Sequence, residues 1–434
     1  MRLLSTLLLV LVATVAAAAA HGTTYYISAQ GDDGHDGRTP ARAIRTLGRL
    51  NALELRGGDS VLFVRGGEWH GTLFLRSGEN GHPIHYGAWG ESAAPILSGS
   101  VEASDAGMWS LRDGLWEYGA DLPLEVGNII ADGRVGRLRW ERGECSEPLD
   151  FHYDAATRRL SVAADGNPAM LWRRIDLALN RTVVIGYRVH DVTVCDLAIR
   201  YGGAHGIQLD GCSRVDIARN EISWVGGGSC PGMERVRYGN GVELWGANDH
   251  IVVRDNHIHD IYDTGVTNQS HSAAARQEHI TYRGNLIESC AMFSFELWNN
   301  GLEGSAIRDV SFVGNICIDA GGGWGRQRPD TVGYHVNWGV VRGEAESIVI
   351  ADNLFVDGRG LVLGALDGDA VPSWYAAITV RGNRYSVTEA ARHNACYLFC
   401  NYSDTTVAFG LDQREECEAF CGVRLGVEGR VRAE

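Results

Sequence analysis

From residue 190 onward one pattern returns at steps of 24, 36, 29, 30, 38 and 30 residues: VTVCDLAI, VDIARNEI, IVVRDNHI, ITYRGNLI, VSFVGNIC, IVIADNLF and ITVRGNRY. Alternating apolar residues mark a short strand, then a polar residue, then another apolar one. That polar position reads Asp196, Asn220, Asn256, Asn285, Asn315, Asn353 and Asn383. A period of this length, short of helical periodicity, predicts stacked coils of a parallel β-helix, an all-β solenoid. Asn at one corner of successive coils is expected to form a hydrogen-bonded ladder. Coil corners need positive φ about three times per turn, and this is the expected use of the 56 glycines.

A second strand follows each first one: HGIQLDG, NGVELWG, TGVTNQS, FSFELWN and YHVNWGV. Aligning Ile207, Val242, Val266, Phe295 and Val336 inward puts Gln208, Glu243, Thr267, Glu296 and Asn337 outward. Two residues on come Asp210, Trp245, Gln269, Trp298 and Gly339. Acids beside Trp suit a sugar cleft, where indole faces stack on pyranose rings and carboxyls do the bond chemistry. Glu243, Asp263 and Glu296 are therefore the expected catalytic acids. Arg237, Tyr238, Trp245, Gln269, Trp298, Trp324, Arg326, Arg328 and His335 are the expected substrate contacts. His257 and His259 alternate on a strand edge and read as surface ladder residues. No cofactor is required, although Glu243, Asp263 and Asn268 offer oxygens for Ca²⁺.

Three further segments, TYYISAQGDDGHDGRTPARAIRTL, GGDSVLFVRGGEWHGTLFL and HPIHYGAWGESAAPILSGS, resemble the start of secreted right-handed parallel β-helix proteins. That group includes many polysaccharide lyases and glycoside hydrolases. The resemblance spans about residues 24–100 and 180–390. It implies a capping helix over roughly residues 41–55, and it bears on fold more than activity. Residues 101–180 read as a β-hairpin excursion with its turn at 154–157. The coil core is expected over 181–392.

Residues 1–20 carry Arg2, an apolar run and an alanine stretch, the pattern of a secretory signal peptide. Cleavage after Ala20 would expose His21, an ordinary mature end rather than a copper site. The apolar run is short for a membrane span of about 20 residues. A secreted monomer, extracellular or periplasmic, is the expectation. In an oxidising compartment, the ten cysteines suggest disulfides. Cys396, Cys400, Cys417 and Cys421 would staple a C-terminal cap over 393–434, and Cys290 could pair with Cys317.

The net charge of −15 speaks against nucleic acid as partner. All 39 basic residues are arginine. A lyase needs a base for the C5 proton, and the resemblance implies lysine in several lyase families. Here, with no lysine, His205, His335, Tyr238 or Arg237 could serve. The expectation is a glycosidic-bond-cleaving enzyme of carboxylate type acting on a polysaccharide or oligosaccharide. A lyase or uronate epimerase comes second, and a non-catalytic glycan-binding solenoid third.

Overall fold

The computed structural model describes residues 22–270, 272, 274–299, 304–327, 333–341, 343–358, 377–388, 396–400, 406–410 and 412–421. The signal-peptide reading of 1–20, His21 and Arg328 lie outside these residues. So do the side chains of Arg326, Cys396, Cys400, Cys417 and Cys421. Among the described residues, no helix is long and apolar enough to cross a membrane.

The chain is a right-handed parallel β-helix. Three parallel sheets run the length of the stack, with ten, nine and seven described strands. Each strand pairs with its equivalent in the next coil, as in Ile251↔Ile280 and Ile280↔Val310. One residue set fills the lumen: Val215, Ile251, Ile280, Val310 and Ile348 from the first sheet face Ile207, Val242, Val266, Phe295 and Val336 from the third. Aromatics fill the lumen of the later coils, where Phe295 stacks on Phe312 at 4.7 Å and Tyr282 packs on Phe295 at 5.2 Å.

The asparagine ladder forms. Each side-chain amide donates to the Oδ1 of the next Asn at 2.9–3.1 Å, from Asn220 through Asn256, Asn285, Asn315 and Asn353 to Asn383. Each backbone N–H donates to the same oxygen. The second amide proton reaches a carbonyl across the corner, as Asn285 does to Val253 at 3.0 Å. Buried backbone groups are thereby paired where the strand ends.

Asp196 is not part of the ladder. The register pairs Cys195 with Ala218, so Leu197 meets Asn220, and its N–H donates to Asn220 Oδ1 at 3.2 Å. Asp196 sits one residue earlier, at φ +61, ion-paired to Arg219. The corners do take positive φ three times per coil, but glycine is not their main occupant. One station holds Arg214, His250, His279, Asp309 and Ser347; another holds Trp224, Asp260, Ser289, Asp319 and Asp357. Left-handed geometry costs an L-residue roughly 1–2 kcal/mol, and strand pairing on both sides holds it there.

The cap is shorter than expected: a 3-10 turn at Pro40–Arg42, then one α-helix, Leu47–Asn51, with Thr46 accepting from Arg49 N–H. Leu47 and Leu50 close the lumen. The 101–180 excursion is more than a hairpin. A four-stranded antiparallel sheet and a five-stranded mixed sheet, in which only Arg137–Leu138 pairs parallel to its neighbour, enclose their own core of Trp109, Val126, Phe151, Leu160 and Leu177. Its 154–157 turn is as read, with the Asp154 carboxylate accepting from Ala156 and Thr157. Arg174 bridges Asp176 and Glu68, tying this module to the early coils. Cys290 and Cys317 are buried free thiols. Cys317 pairs in register with Ile287, which sets Cys290 three residues further along the coil.

Candidate active site

The third sheet carries the site. Its relevant strands are β1 (Ile207–Asp210), β2 (Val242–Trp245), β3 (Val266–Ser270), β4 (Phe293–Asn299) and β5 (Tyr334–Val341). Gln208, Glu243, Thr267, Glu296 and Asn337 align in one row. Asp210, Trp245, Gln269 and Trp298 align in the next. Both rows point away from the lumen, as the alternation predicts.

The face is nevertheless covered. Residues 226–238 fold over it, with Gly228–Ser229 paired antiparallel to Arg237–Tyr238. At the base of this loop Gly226 (φ +98) and Gly239 (φ +136) cross so closely that a Cβ on Gly239 would lie 2.2 Å from Gly226 Cα. Only glycine permits that crossing. Under the loop is a cavity of about 450 Å³. Glu243, Asp263, Trp245, Gln269 and Tyr238 line it, with His205, Gln208 and Asn240.

Glu243 is completely buried. Its Oε2 accepts from Asn240 Nδ2 at 2.5 Å, and its Oε1 has no hydrogen-bond partner among the described residues. Burial pushes its pKa well above the ordinary carboxyl value; the Asn240 hydrogen bond opposes this, and the charges of Glu296 and Asp263 add to it. Burial and the neighbouring acids thus favour the protonated form of this carboxyl, whose Oε1 is buried without a hydrogen-bond partner among the described residues.

Glu296 is in a different setting. Gln269 Nε2 donates to its Oε2 at 2.6 Å, Asn337 Nδ2 to its Oε1 at 2.7 Å, and Thr267 Oγ1 to Oε2 at 3.4 Å. Several donors suit a charged carboxylate. Glu296 stands behind Gln269 rather than in the cavity lining.

His205 is neutral: burial pushes its pKa down to about 3. Its Nδ1 accepts from the Asn240 N–H at 3.1 Å, which places the ring proton on Nε2. Its approach to Glu243, 3.9 Å, is therefore not an ion pair. The Tyr238 ring meets His205 edge-on at 5.1 Å, and burial raises the Tyr238 pKa to about 12.

Other expected residues sit elsewhere. Arg237 is a clamp: its guanidinium donates to the carbonyls of Gly227 (2.6 Å) and Gly127 (2.9 Å) and to Gln327 Oε1 (3.0 Å), and it lies 4.5 Å over Tyr262. Trp324 donates to the Asp260 carbonyl at 2.9 Å and packs on Tyr262. His335 is fully buried, hydrogen-bonded to Ser294 and the Asp357 carbonyl, and burial pushes its pKa down to about 4. Trp298 is not in the cavity lining. Asn268 shares the inward row of Leu244 and Leu297 and accepts from Tyr282 inside the lumen at 2.9 Å. The expected Ca²⁺ set of Glu243, Asp263 and Asn268 therefore does not come together. His257 and His259 stack on the surface, paired to Glu288, Asp260 and Glu221, as read.

Asn240, the donor to Glu243, had only a loop position to recommend it in sequence. Its spacing from Glu243, three residues, was the available signal. Cys230 and Pro231 reach the cavity only through the covering loop, which no spacing rule indicates.

No family model matches the chain, and no curated protein matches it. Solved structures do. One is a complex of XylC with xylose (10% identity, 89% of this chain and 73% of that chain covered, TM-score 0.49). A GH136 lacto-N-biosidase from Eubacterium ramulus is 16% identical, with 95% and 67% covered and a TM-score of 0.42. The pectate lyase Pel9A is 9% identical, with 84% and 74% covered and a TM-score of 0.45. These likenesses concern coil architecture; the chemistry rests on the site itself.

Proposed function

We propose that this protein is a carbohydrate-active enzyme that hydrolyses glycosidic bonds in the cavity over the third sheet. The observation that carries this is Glu243: a fully buried carboxyl, its pKa raised by that burial, with one oxygen unpartnered among the described residues, lining a cavity shared with Asp263 and Trp245. Glycoside hydrolysis needs one carboxyl in its acid form and a second in its base form. Glu243 gives its proton to the departing glycosidic oxygen as the C–O bond breaks. Asp263 serves as the carboxylate that either activates water or attacks the sugar carbon. Trp245 offers a stacking face for a pyranose ring.

Glu296 is a positioning residue in this scheme. It fixes the Gln269 amide at the cavity wall, and its charge helps keep Glu243 protonated. The leader pattern of residues 1–20 supports export, with an extracellular polysaccharide or oligosaccharide as substrate and a monomer as the working form.

The test is a panel of polysaccharides and oligosaccharides, read by new reducing ends and by ultraviolet absorbance of unsaturated products. New reducing ends without ultraviolet absorbance are expected. Glu243→Gln and Asp263→Asn should each lower the rate at least 100-fold, the scale of general acid–base catalysis. Unsaturated products, or full activity in both variants, would overturn the proposal.

A further inference from the structure

A second cluster lies on the first sheet, away from the cavity. His250, His279 and Asp309 occupy the same corner station of three successive coils, at φ +54, +54 and +48. The shared left-handed geometry lines their side chains up along the stack. The two imidazoles stack at 4.4 Å with 28° between planes. Both turn Nδ1 to one atom, Asp249 Oδ1, each at 2.8 Å. On the far side of His279, Nε2 faces Asp309 Oδ2 at 3.6 Å.

We propose that Asp249, His250 and His279 form a binding site for a divalent transition-metal ion of the Zn²⁺ class. The three ligand atoms lie within 4.8 Å of one another. A tetrahedral ion with bonds of about 2.0–2.1 Å needs its ligand atoms about 3.4 Å apart, so the two N···O contacts open by about half an ångström. Half-exposed side chains can make that movement. Two imidazole nitrogens and one carboxylate oxygen select a borderline ion over Ca²⁺ or Mg²⁺. Asp309 faces the remaining nitrogen of His279, the carboxylate–histidine–metal arrangement that fixes a ligand ring. The fourth position is left to water or to a donor from a bound partner. Arg214, the cation on the preceding coil, is engaged by Asp191 at 2.8 and 2.9 Å and does not occupy the site.

The other stacked pair is the internal control. His257 and His259 are 4.3 Å apart, but they share no carboxylate atom. His257 holds Glu288, while the two nitrogens of His259 hold Asp260 and Glu221 separately.

The experiment is calorimetric titration of the full chain with ZnCl₂ at pH 7.5, beside His279→Ala, Asp249→Asn, Asp309→Asn and His257→Ala. Circular dichroism of each variant confirms its fold. The site predicts one saturable Zn²⁺ per chain, lost in His279→Ala and weakened at least tenfold in Asp249→Asn. Asp309→Asn should weaken it about tenfold, and His257→Ala should leave it unchanged. No saturable binding, or binding unaltered in His279→Ala and Asp249→Asn, overturns the assignment. If His279→Ala fails to fold, Asp249→Asn and the wild-type stoichiometry decide alone.

Discussion

Truncating one rung of the asparagine ladder tests how this solenoid holds its corners. Asn285 is 1% exposed and sits mid-stack. Its side chain makes four hydrogen bonds: Nδ2 donates to the Val253 carbonyl and to Asn315 Oδ1, while Oδ1 accepts from the backbone and side-chain N–H groups of Asn256. Asn285→Ala removes all four. The Asn315 oxygen keeps the Asn285 backbone N–H. The Asn256 N–H groups and the Val253 carbonyl lose their partners in a dry corner. An unsatisfied buried polar group costs about 1–3 kcal/mol. With three affected groups and partial relaxation, the expected loss is about 3–5 kcal/mol, among the largest single-substitution effects. Arg219→Ala is the control, because it breaks an exposed ion pair worth at most about 1 kcal/mol. The assay is urea unfolding followed by circular dichroism, scored on the midpoint of the first transition, since coil stacks need not unfold in one step. A loss below about 1 kcal/mol for Asn285→Ala, or one equal to Arg219→Ala, would refute the reasoning.

Three more outcomes follow from the same contacts. Glu243 has a folded-state pKa above its unfolded value, so the folded chain binds the extra proton and stability falls as pH rises beyond the unfolded value. Glu243→Gln should therefore melt higher than wild type at pH 8, with the difference shrinking toward pH 4; an equal difference at both would contradict this. Arg174→Met leaves Asp176 buried with only Ser100 as donor, so it should cost about 2–3 kcal/mol. It should also speed proteolytic release of the 101–180 module, and an unchanged cleavage rate would count against the tie. Cys290 and Cys317 should react with a thiol reagent only on unfolding; their absence from the denatured thiol count would show them oxidised.

The period and the alternation made the coil stack and the outward row of β1–β5 legible, because strand pairing preserves both in three dimensions. The ladder was legible through its repeated Asn, but its first member was set one residue early. Asp196 is the polar residue between apolar flanks in that repeat, and only the pairing of Cys195 with Ala218 shows that Leu197 takes the ladder position. The corner residues were not legible. Arg, His, Asp and Trp take left-handed φ there because neighbouring strands hold them, which composition does not record. Nor was the division among site residues. Arg237 and Trp324 look like sugar contacts in sequence, yet each is committed to backbone carbonyls supplied by distant segments. Glu243 and Glu296 look equivalent in sequence. Their difference comes from one donor on the first and three on the second, and from the loop that buries the cavity.

The protonation state of Glu243 tests the central claim without requiring a substrate. Difference infrared spectroscopy of wild type against Glu243→Gln, titrated with pH, reads the carbonyl stretch of a protonated carboxyl directly. A protonated-carboxyl band present at neutral pH in wild type and missing in Glu243→Gln is the predicted result. A spectrum in which Glu243 titrates at the ordinary carboxyl value would contradict its role as the acid.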